Sequence, residues 1–482
     1  MKVTEFYALA PIVVLSVTII VVMTQASIKR NQILAWWITI LGLMVTLWST
    51  QLATSYSQQV TPLFLINPSG LWFSSLVTLG TLVTLILSND IEKAGSQITE
   101  EYYLLLLLST LGAVVLILAS HMASLLLGME LLGISLYALI AFPEKNPLPL
   151  EAAIKYLVLS AAASAMLLFG FALIYAATGD LSYSGIGAKL SSASIKNPLL
   201  VIAGTSMLLA SISFKLSLAP FHMWTPDVYQ GAPTPVTNFL ATVSKGAMLV
   251  ALSRFTIDGN LHQYTTFTIC LSVLAIISIL VGNWLALRQQ QIKRLLAYSS
   301  IAHFGYLLVA LVALRQLQES EEIFYLSLEA INFYLTAYII TSLAAFTVVA
   351  NIGGEDDPDM RSFDGLFWRK PVQAATLTVA MLSFAGIPLT AGFLGKFYLI
   401  SLALNTDLWL LLITLVIGSA IAIYYYLRVI YSMLRTSSAD NSCELPFISS
   451  PIWRDALAII LMLSVILLGS WPQPFINFIG DL

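Results

Sequence analysis

Long apolar blocks repeat along almost the whole chain and restrict it to very few folds. Each block runs for about 18 to 30 residues, long enough for an α-helix to cross roughly 30 Å of hydrocarbon. Of the 482 residues, 58% are hydrophobic and 10% are charged, whereas soluble domains carry roughly 25% charged residues. Membrane-spanning barrel strands would be half as long and would alternate in polarity. The sequence therefore excludes a soluble core and predicts an all-α polytopic membrane protein.

Polar residues divide the apolar stretches into about fourteen transmembrane helices. The predicted spans are 6–26, 32–52, 69–88, 102–120, 122–142, 151–177, 198–231, 235–257, 264–287, 295–314, 322–350, 372–405, 408–427 and 454–476. An even number of spans places both termini on the same side of the membrane.

The loop cations predict which side that is, because short cytoplasmic loops hold an excess of lysine and arginine. One set of alternate loops holds thirteen cations: Lys29, Arg30, Lys93, Lys145, Arg288, Lys293, Arg294, Arg361, Arg369, Lys370, Arg428, Arg435 and Arg454. The other side holds five: Lys2, Lys189, Lys196, Arg254 and Arg315. In a bacterial inner membrane, this bias predicts that both termini are periplasmic.

Two of the predicted spans, the seventh (198–231) and the twelfth (372–405), are too long for one straight crossing at 1.5 Å per residue. Each contains helix breakers, which include Pro220 and Pro226 in the first span and Gly386 and Pro388 in the second. Interrupted backbone at membrane depth is tolerated where it is buried in protein or lines a wet cavity. We therefore expect both spans to be discontinuous helices.

The two interrupted spans lie five spans apart, and an odd offset reverses direction in the membrane. Broken helices at matching positions are typical of inverted-topology repeats, which place a working site at the break. We predict an N-terminal three-helix segment (1–101), a first five-helix repeat of spans 4–8 (102–257), a second of spans 9–13 (258–435) and a C-terminal helix (436–482).

A few ionisable residues fall inside the predicted spans: Glu130, Lys155, Lys215, Lys245, His303 and Lys396. A charge at the bilayer centre costs at least ~2.5 to 3.5 kcal/mol, so such residues persist where they pair or conduct. A buried lysine holds its proton less tightly, and a nearby carboxylate restores that hold. We therefore predict proton transfer through Glu130, Lys215, Lys245, His303 and Lys396.

Other interpretations of these residues stay open. Glu130 and Lys215 could form a structural ion pair, and Lys245 and Lys396 could bond to carbonyls freed by helix breaks. His303 could be a satisfied core histidine. Three secondary candidates have ordinary explanations as well: Lys155 could reach the membrane surface, and His222 and Asp227 could cap half-helices.

No motif for a redox cofactor or a metal is present. The sequence has no G-x-G-x-x-G, no P-loop and no paired haem histidines at plausible depth. Its two cysteines, Cys270 and Cys443, are too few for a cysteine-ligated cluster. We expect the chain to carry protons without carrying electrons. The near-zero net charge of −3 suggests no nucleic-acid partner.

The run FKLSLAPFHMWTPDVYQGAPTPVTNFLATVSKGA at 214–247 resembles the signature of antiporter-like membrane subunits, which occur in respiratory complex I and in multisubunit sodium/proton antiporters. The segments LLLGMELLGISLYALIAF, IKRLLAYSSIAHFGYLLVAL and AGIPLTAGFLGKFYLI are similar to a bacterial complex I subunit of this family. The resemblance covers essentially the whole chain.

This resemblance implies fourteen helices with inverted repeats in spans 4–8 and 9–13. It also implies roles for five residues: Glu130 and Lys215 as a coupled pair, Lys245 as a connecting lysine, His303 on the central axis and Lys396 on the exit side. NADH, FMN, iron–sulfur clusters and quinone would bind partner subunits of a hetero-oligomer. The alternatives are a subunit of a sodium/proton antiporter and a structural spacer.

Overall fold

The computed structural model describes residues 3–88, 99–142, 147–191, 197–315, 321–352, 358–435 and 452–480. Four of the cations assigned to loops, Lys2, Lys93, Lys145 and Lys196, lie outside these ranges, as does Cys443. The described part of the chain is almost entirely helical. Its helices are α1 Val3–Ala8, α2 Ala10–Ile28, α3 Gln32–Thr54, α4 Pro68–Ser88, α5 Glu100–Leu118, α6 Met122–Ala141, α7 Pro147–Thr178, α8 Tyr183–Ser191, α9 Pro198–Leu216, α10 Trp224–Gly231, α11 Thr234–Phe239, α12 Lys245–Asp258, α13 Thr265–Ala286, α14 Ile292–Ala313, α15 Glu321–Ile352, α16 Leu366–Arg369, α17 Pro371–Ala385, α18 Ala391–Asn405, α19 Trp409–Leu434, α20 Ile452–Ser470 and α21 Gln473–Gly480.

The predicted spans coincide with these helices. Among the described residues, thirteen helices are long and apolar enough to cross a membrane, counting α11, the segment after it and α12 as one continuous helix, Thr234–Asp258. The shorter apolar helices α17 and α18 make up the remaining span. The all-α polytopic prediction is therefore confirmed, with one small addition that hydropathy did not reveal. Strands β1 Gln58–Val60 and β2 Phe64–Ile66 form an antiparallel hairpin in the loop after α3.

Both long spans are interrupted as predicted. Span 7 consists of α9 and α10, and α9 ends where Ser217 adopts a left-handed conformation with φ 63°. Span 12 consists of α17 and α18, and α17 ends at Gly386 with φ 82°. A left-handed residue stops an α-helix and leaves its last carbonyls to find other donors. The two breaks thus create backbone acceptors inside the protein.

The chain divides into two compact units. One contains Met1–Trp224 and Phe239–Val273, and the other contains Thr225–Asn238 and Leu274–Asp481. In the first unit, α5 and α6 pack closely through glycine. A Cβ added at Gly112 would lie 2.5 Å from the backbone nitrogen of Leu132. Small residues allow such close backbone approach, which drives helix association where no hydrophobic force acts between helices.

Candidate functional site

The five principal candidates all lie in membrane-spanning helices. In the first unit, Glu130 lies on α6, Lys215 lies on the last turn of α9, and Lys245 begins α12. In the second unit, His303 lies on α14 and Lys396 lies on α18. Lys215, Lys245, His303 and Lys396 are all buried, whereas Glu130 is partly exposed. Each unit therefore holds its own cluster of ionisable groups.

In the first unit a polar seam runs between α6 and α7. Glu130 and Tyr137 are seven residues apart on α6, and Ser160 and Ser164 are four apart on α7, so each pair shares a helix face. Ser164 donates a hydrogen bond to Oε1 of Glu130. Tyr137 donates to Oγ of Ser160 at 2.5 Å. The seam contains hydroxyl groups, which can both accept and donate a proton. It also contains Glu130, the carboxylate predicted from the sequence.

Lys215 enters this seam from α9. Its Nζ donates to Oγ of Ser160 at 2.6 Å and lies 5.6 Å from the ring centroid of Tyr156. At that distance an ammonium group is attracted to the face of an aromatic ring. The structure thus brings Lys215 and Glu130 to the same seam, with the two α7 serines as their hydrogen-bond partners.

Lys245 follows a feature that hydropathy could not reveal. The five residues Leu240–Ser244 form a π-helical segment, and Lys245 comes directly after it with a fully buried side chain. A π-segment changes the direction in which later side chains leave the helix, and such segments are frequent at functional sites. The buried lysine is therefore positioned by a local departure from α-helical geometry.

In the second unit, Lys396 fills the break of span 12. Its Nζ donates to the carbonyl oxygens of Phe384 at 2.9 Å and Ala385 at 3.1 Å. These carbonyls belong to the last two residues of α17, and the dipole of the helix favours a positive charge at this end. A Cβ added at Gly386 would lie 2.9 Å from Cδ of Lys396, so the glycine leaves room for the lysine.

His303 lies among tyrosines. Its Nδ1 is 2.7 Å from the hydroxyl of Tyr334 and its Nε2 is 3.1 Å from that of Tyr426. Tyr426 also forms a hydrogen bond with Ser299. Both ring nitrogens therefore have hydroxyl partners, which can donate or accept a proton. This environment suits a histidine that exchanges protons.

Tyr306 lies between the two candidates of the second unit. Its ring centroid is 5.7 Å from that of His303 and 5.4 Å from Nζ of Lys396. Its hydroxyl accepts a hydrogen bond from Asn283 at 3.0 Å, and Asn283 in turn accepts from Tyr425 at 3.0 Å. His303 and Lys396 are therefore joined through one aromatic residue.

The secondary candidates occupy different surroundings. Lys155 lies on an exposed face of α7 and pairs with Glu151, four residues earlier, at 2.8 Å. His222 is buried in the break of span 7 and is hydrogen-bonded to the backbone of Pro220. Asp227 forms an ion pair with Arg294 at 2.8 Å. Lys155 thus lies away from the polar seam, although it shares α7 with Ser160.

Three cations that the sequence placed in loops, Arg254, Lys293 and Arg454, are buried in helices, so this part of the prediction was wrong. Arg254 on α12 donates to the carbonyls of Ile117 and Leu65, at 2.6 and 2.8 Å. Lys293 on α14 donates to the carbonyl of Ala232 at 3.0 Å. Arg254 and Lys293 are tolerated because they satisfy backbone acceptors at helix or strand ends. Without these three residues the loop cations number eleven against four, and the predicted orientation does not change.

Sequence reasoning missed the hydroxyl partners of the candidate residues. Tyr156, Ser160 and Ser164 are spaced by four residues, so they form a polar stripe on one face of α7. That spacing could have been noticed. Tyr334 and Tyr426 could not, because they reach His303 from helices far away in the sequence.

The match to a family model defines the class of this protein. A family model described as "NADH:quinone oxidoreductase/Mrp antiporter, TM" matches residues 119–422, a range that contains all five principal candidates. The chain belongs to this family of polytopic membrane proteins. It is 45% identical over 473 residues to NADH-quinone oxidoreductase subunit N of Methylococcus capsulatus (strain ATCC 33009 / NCIMB 11132 / Bath), with coverage of 98% of this chain and 94% of that protein.

Solved structures agree with this assignment. The chain is similar to one in respiratory complex I from Thermus thermophilus, with a TM-score of 0.82 and 32% identity, covering 97% of this chain and 98% of that one. It also resembles a chain of the Mrp complex from Dietzia sp. DQ12-45-1b, with a TM-score of 0.83 and coverage of 100% and 97%. Because the identity is only 19%, this second similarity shows a shared fold and nothing more. The predicted kinship with a complex I subunit, here subunit N, is confirmed.

Proposed function

We propose that this chain is the subunit N of a bacterial complex I and translocates protons across the inner membrane through Glu130, Lys215, Lys245, His303 and Lys396. Electron transfer from NADH to quinone in other subunits supplies the energy. The chain itself holds no redox centre, and NADH, FMN, iron–sulfur clusters and quinone bind its partners. It assembles with other membrane-arm subunits, and both of its termini face the periplasm.

The observation that carries this proposal is that Lys215 and His303, two buried titratable residues, are hydrogen-bonded to hydroxyl groups. Lys215 is hydrogen-bonded to a serine in the seam that contains Glu130, and His303 has tyrosine hydroxyls at both ring nitrogens. A cation that only joined helices could be bonded to backbone carbonyls, which accept hydrogen bonds but have no proton to release. A hydroxyl can accept one proton while releasing another.

The test compares substitutions of the coupled pair with substitutions of exposed charges. We expect Glu130→Gln and Lys215→Ala each to lower NADH-driven proton uptake into inverted membrane vesicles by about tenfold or more, because each removes a proton-transfer group. Lys189→Ala and Glu322→Gln, both exposed, serve as controls and should pump normally. Normal pumping by both test variants, with normal assembly on native gels, would show that the pair is only structural.

The second candidate function is a subunit of a multisubunit sodium/proton antiporter, which the shared fold with the Mrp complex chain favours. The two functions predict different partners. Copurification of the tagged chain with iron–sulfur and quinone-site subunits supports complex I. Copurification with small antiporter subunits, together with sodium-dependent proton exchange in vesicles, supports the antiporter.

A further inference from the structure

Two proton donors converge on the hydroxyl of Ser160. Nζ of Lys215 donates to it at 2.6 Å and the hydroxyl of Tyr137 donates at 2.5 Å. Ser160 has no exposed surface. Gly133 faces the same point, since a Cβ there would lie 3.2 Å from both donor atoms. The absence of a side chain at Gly133 therefore makes room for this arrangement.

A serine hydroxyl has two acceptor positions and one proton to give. Lys215 and Tyr137 occupy both acceptor positions, so the proton of Ser160 is available for donation to a third group. By rotating, the same hydroxyl can also donate to a lysine that has become neutral. Ser160 can thus accept a hydrogen bond from the ammonium form of Lys215 and donate one to its neutral amine form. A backbone carbonyl can only accept.

The carboxylate lies along the same helix face. Ser164, one turn after Ser160 on α7, donates to Glu130. Side chains four residues apart on a helix have Cβ atoms about 5–6 Å apart, a separation that one water molecule can bridge. The seam therefore contains, in order, an ammonium group, two hydroxyls and a carboxylate.

We propose that Ser160 is the relay residue through which Lys215 exchanges its proton with Glu130, an inference that rests on the proposed proton translocation. In one direction an N–H bond of the Lys215 ammonium breaks and an O–H bond forms on Ser160. The original O–H bond of Ser160 breaks as its proton passes to a bridging water, which passes one of its own protons to Ser164, while the O–H bond of Ser164 breaks and that proton binds to Glu130. Ser160 ends neutral, Lys215 becomes a neutral amine, and Glu130 becomes a neutral acid, so charge and atoms balance.

The experiment uses the assembled complex in inverted vesicles and measures protons taken up per NADH oxidised. We expect Ser160→Ala to lower this ratio by about tenfold or more, because a relay step is removed, and Ser160→Thr to restore at least half of it. Ser160→Cys, close in size but a weak hydrogen-bonding group, should resemble the alanine variant. Ser135→Ala is the matched control, since Ser135 is a buried serine on α6 that bonds to Leu131 of its own helix at 2.9 Å.

The outcomes separate this inference from the proposed function. Loss of pumping in Ser160→Ala and Ser160→Cys, with recovery in Ser160→Thr, supports the relay. If Ser160→Ala or Ser160→Cys assembles and pumps like Ser135→Ala while Lys215→Ala does not, the relay is overturned and the proposed function stands. If assembled Ser160→Thr pumps no better than Ser160→Cys, the side chain has a packing role only, which also overturns the relay. Pumping by Lys215→Ala itself would instead refute the proposed function.

Discussion

Lys215 and Lys396, the two lysines that lie beside helix breaks, donate to different kinds of oxygen. Lys215 donates to a serine hydroxyl, whereas Lys396 donates to two carbonyls at the end of α17. A hydroxyl accepts and donates, but a carbonyl only accepts. The carbonyls therefore stabilise the ammonium form of Lys396 without offering its proton a route onward. A proton that Lys396 releases must therefore pass to a group other than these carbonyls, and the tyrosines around His303 have the required hydroxyls.

Tyr426 provides a direct test of those hydroxyls. Tyr426→Phe keeps the ring beside Phe384 but removes the hydroxyl shared by His303 and Ser299. We expect NADH-driven proton uptake into vesicles to fall by about tenfold or more, because one nitrogen of His303 loses its proton partner. Tyr424→Phe, at a position 64% exposed on the same helix, is the control and should pump normally. Equal pumping by the two variants would exclude Tyr426 from the proton route.

At the scale of helices, the carbonyl groups at the two helix breaks accept hydrogen bonds from different kinds of side chain. Each first half ends at a left-handed residue and leaves carbonyls without partners in the helix. In span 7 the indole nitrogen of Trp224 donates to Phe214 at 2.9 Å. In span 12 the donor is Lys396. Because an indole satisfies a carbonyl in the first break, Lys215 is left to bond to the α7 seam.

Helix α6, which carries Glu130, begins with a pH-sensitive cap. Nδ1 of His121 accepts a hydrogen bond from the backbone nitrogen of Ala123 at 3.1 Å, so protonation of that nitrogen would abolish the cap. Partial burial lowers the pKa of His121 below its usual value, although the nearby Asp180 opposes the shift. Above about pH 6.5, the unfolded-state value, the stabilisation is complete, and it is lost as pH falls toward the folded-state pKa, because the unfolded chain then binds more protons.

We therefore expect the melting temperature of the purified complex to fall less between pH 7.5 and pH 5.5 in His121→Asn than in the unchanged protein. Asparagine is a strong helix cap that does not titrate. His121→Ala lacks a cap at every pH and should melt lower throughout the range. Parallel pH profiles for the histidine and asparagine forms would contradict this role.

At the scale of the whole molecule, each compact unit carries one broken span or most of one, together with its own proton-transfer candidates. The first unit holds Glu130, Lys215 and Lys245, and the second holds His303 and Lys396. This division is what two repeats, each with its own half of a proton route, would produce. The repeat boundaries 102–257 and 258–435 remain predictions.

Arg254 connects several elements of the first unit through hydrogen bonds. It joins α12 to the end of α5 and to β2, through the carbonyls of Ile117 and Leu65 and through Oδ1 of Asn67 at 3.0 Å. Arg254→Gln leaves buried acceptors without a charged donor, and each such bond contributes about 1.5–3 kcal/mol. We expect less assembled complex on native gels and a lower melting temperature. Arg315→Gln, at an exposed position, is the control, and equal assembly of both variants would refute this role.

The sequence by itself determined the membrane-spanning class, the fourteen spans, the two helix breaks and the ionisable residues inside the spans. Hydropathy and helix breakers act locally, and a charge inside an apolar block is visible without any knowledge of the fold. For the same reason hydropathy could not show that Arg254 and Lys293 are buried in helices. Their carbonyl partners lie far away in the sequence. The local sequence therefore could not show whether each cation lies in a loop beside a span or at the buried end of a helix.

Only the tertiary structure decided which groups meet those charges. Ser160 lies 55 residues from Lys215, and Tyr426 lies 123 residues from His303. Serine and tyrosine are ordinary components of helices, so nothing in their local sequence marks them as partners of a buried cation. The π-segment before Lys245 was equally hidden, because its hydrophobic pattern resembles that of an α-helix. Hydrogen bonds between helices depend on packing, which brings distant residues within about 3 Å of each other.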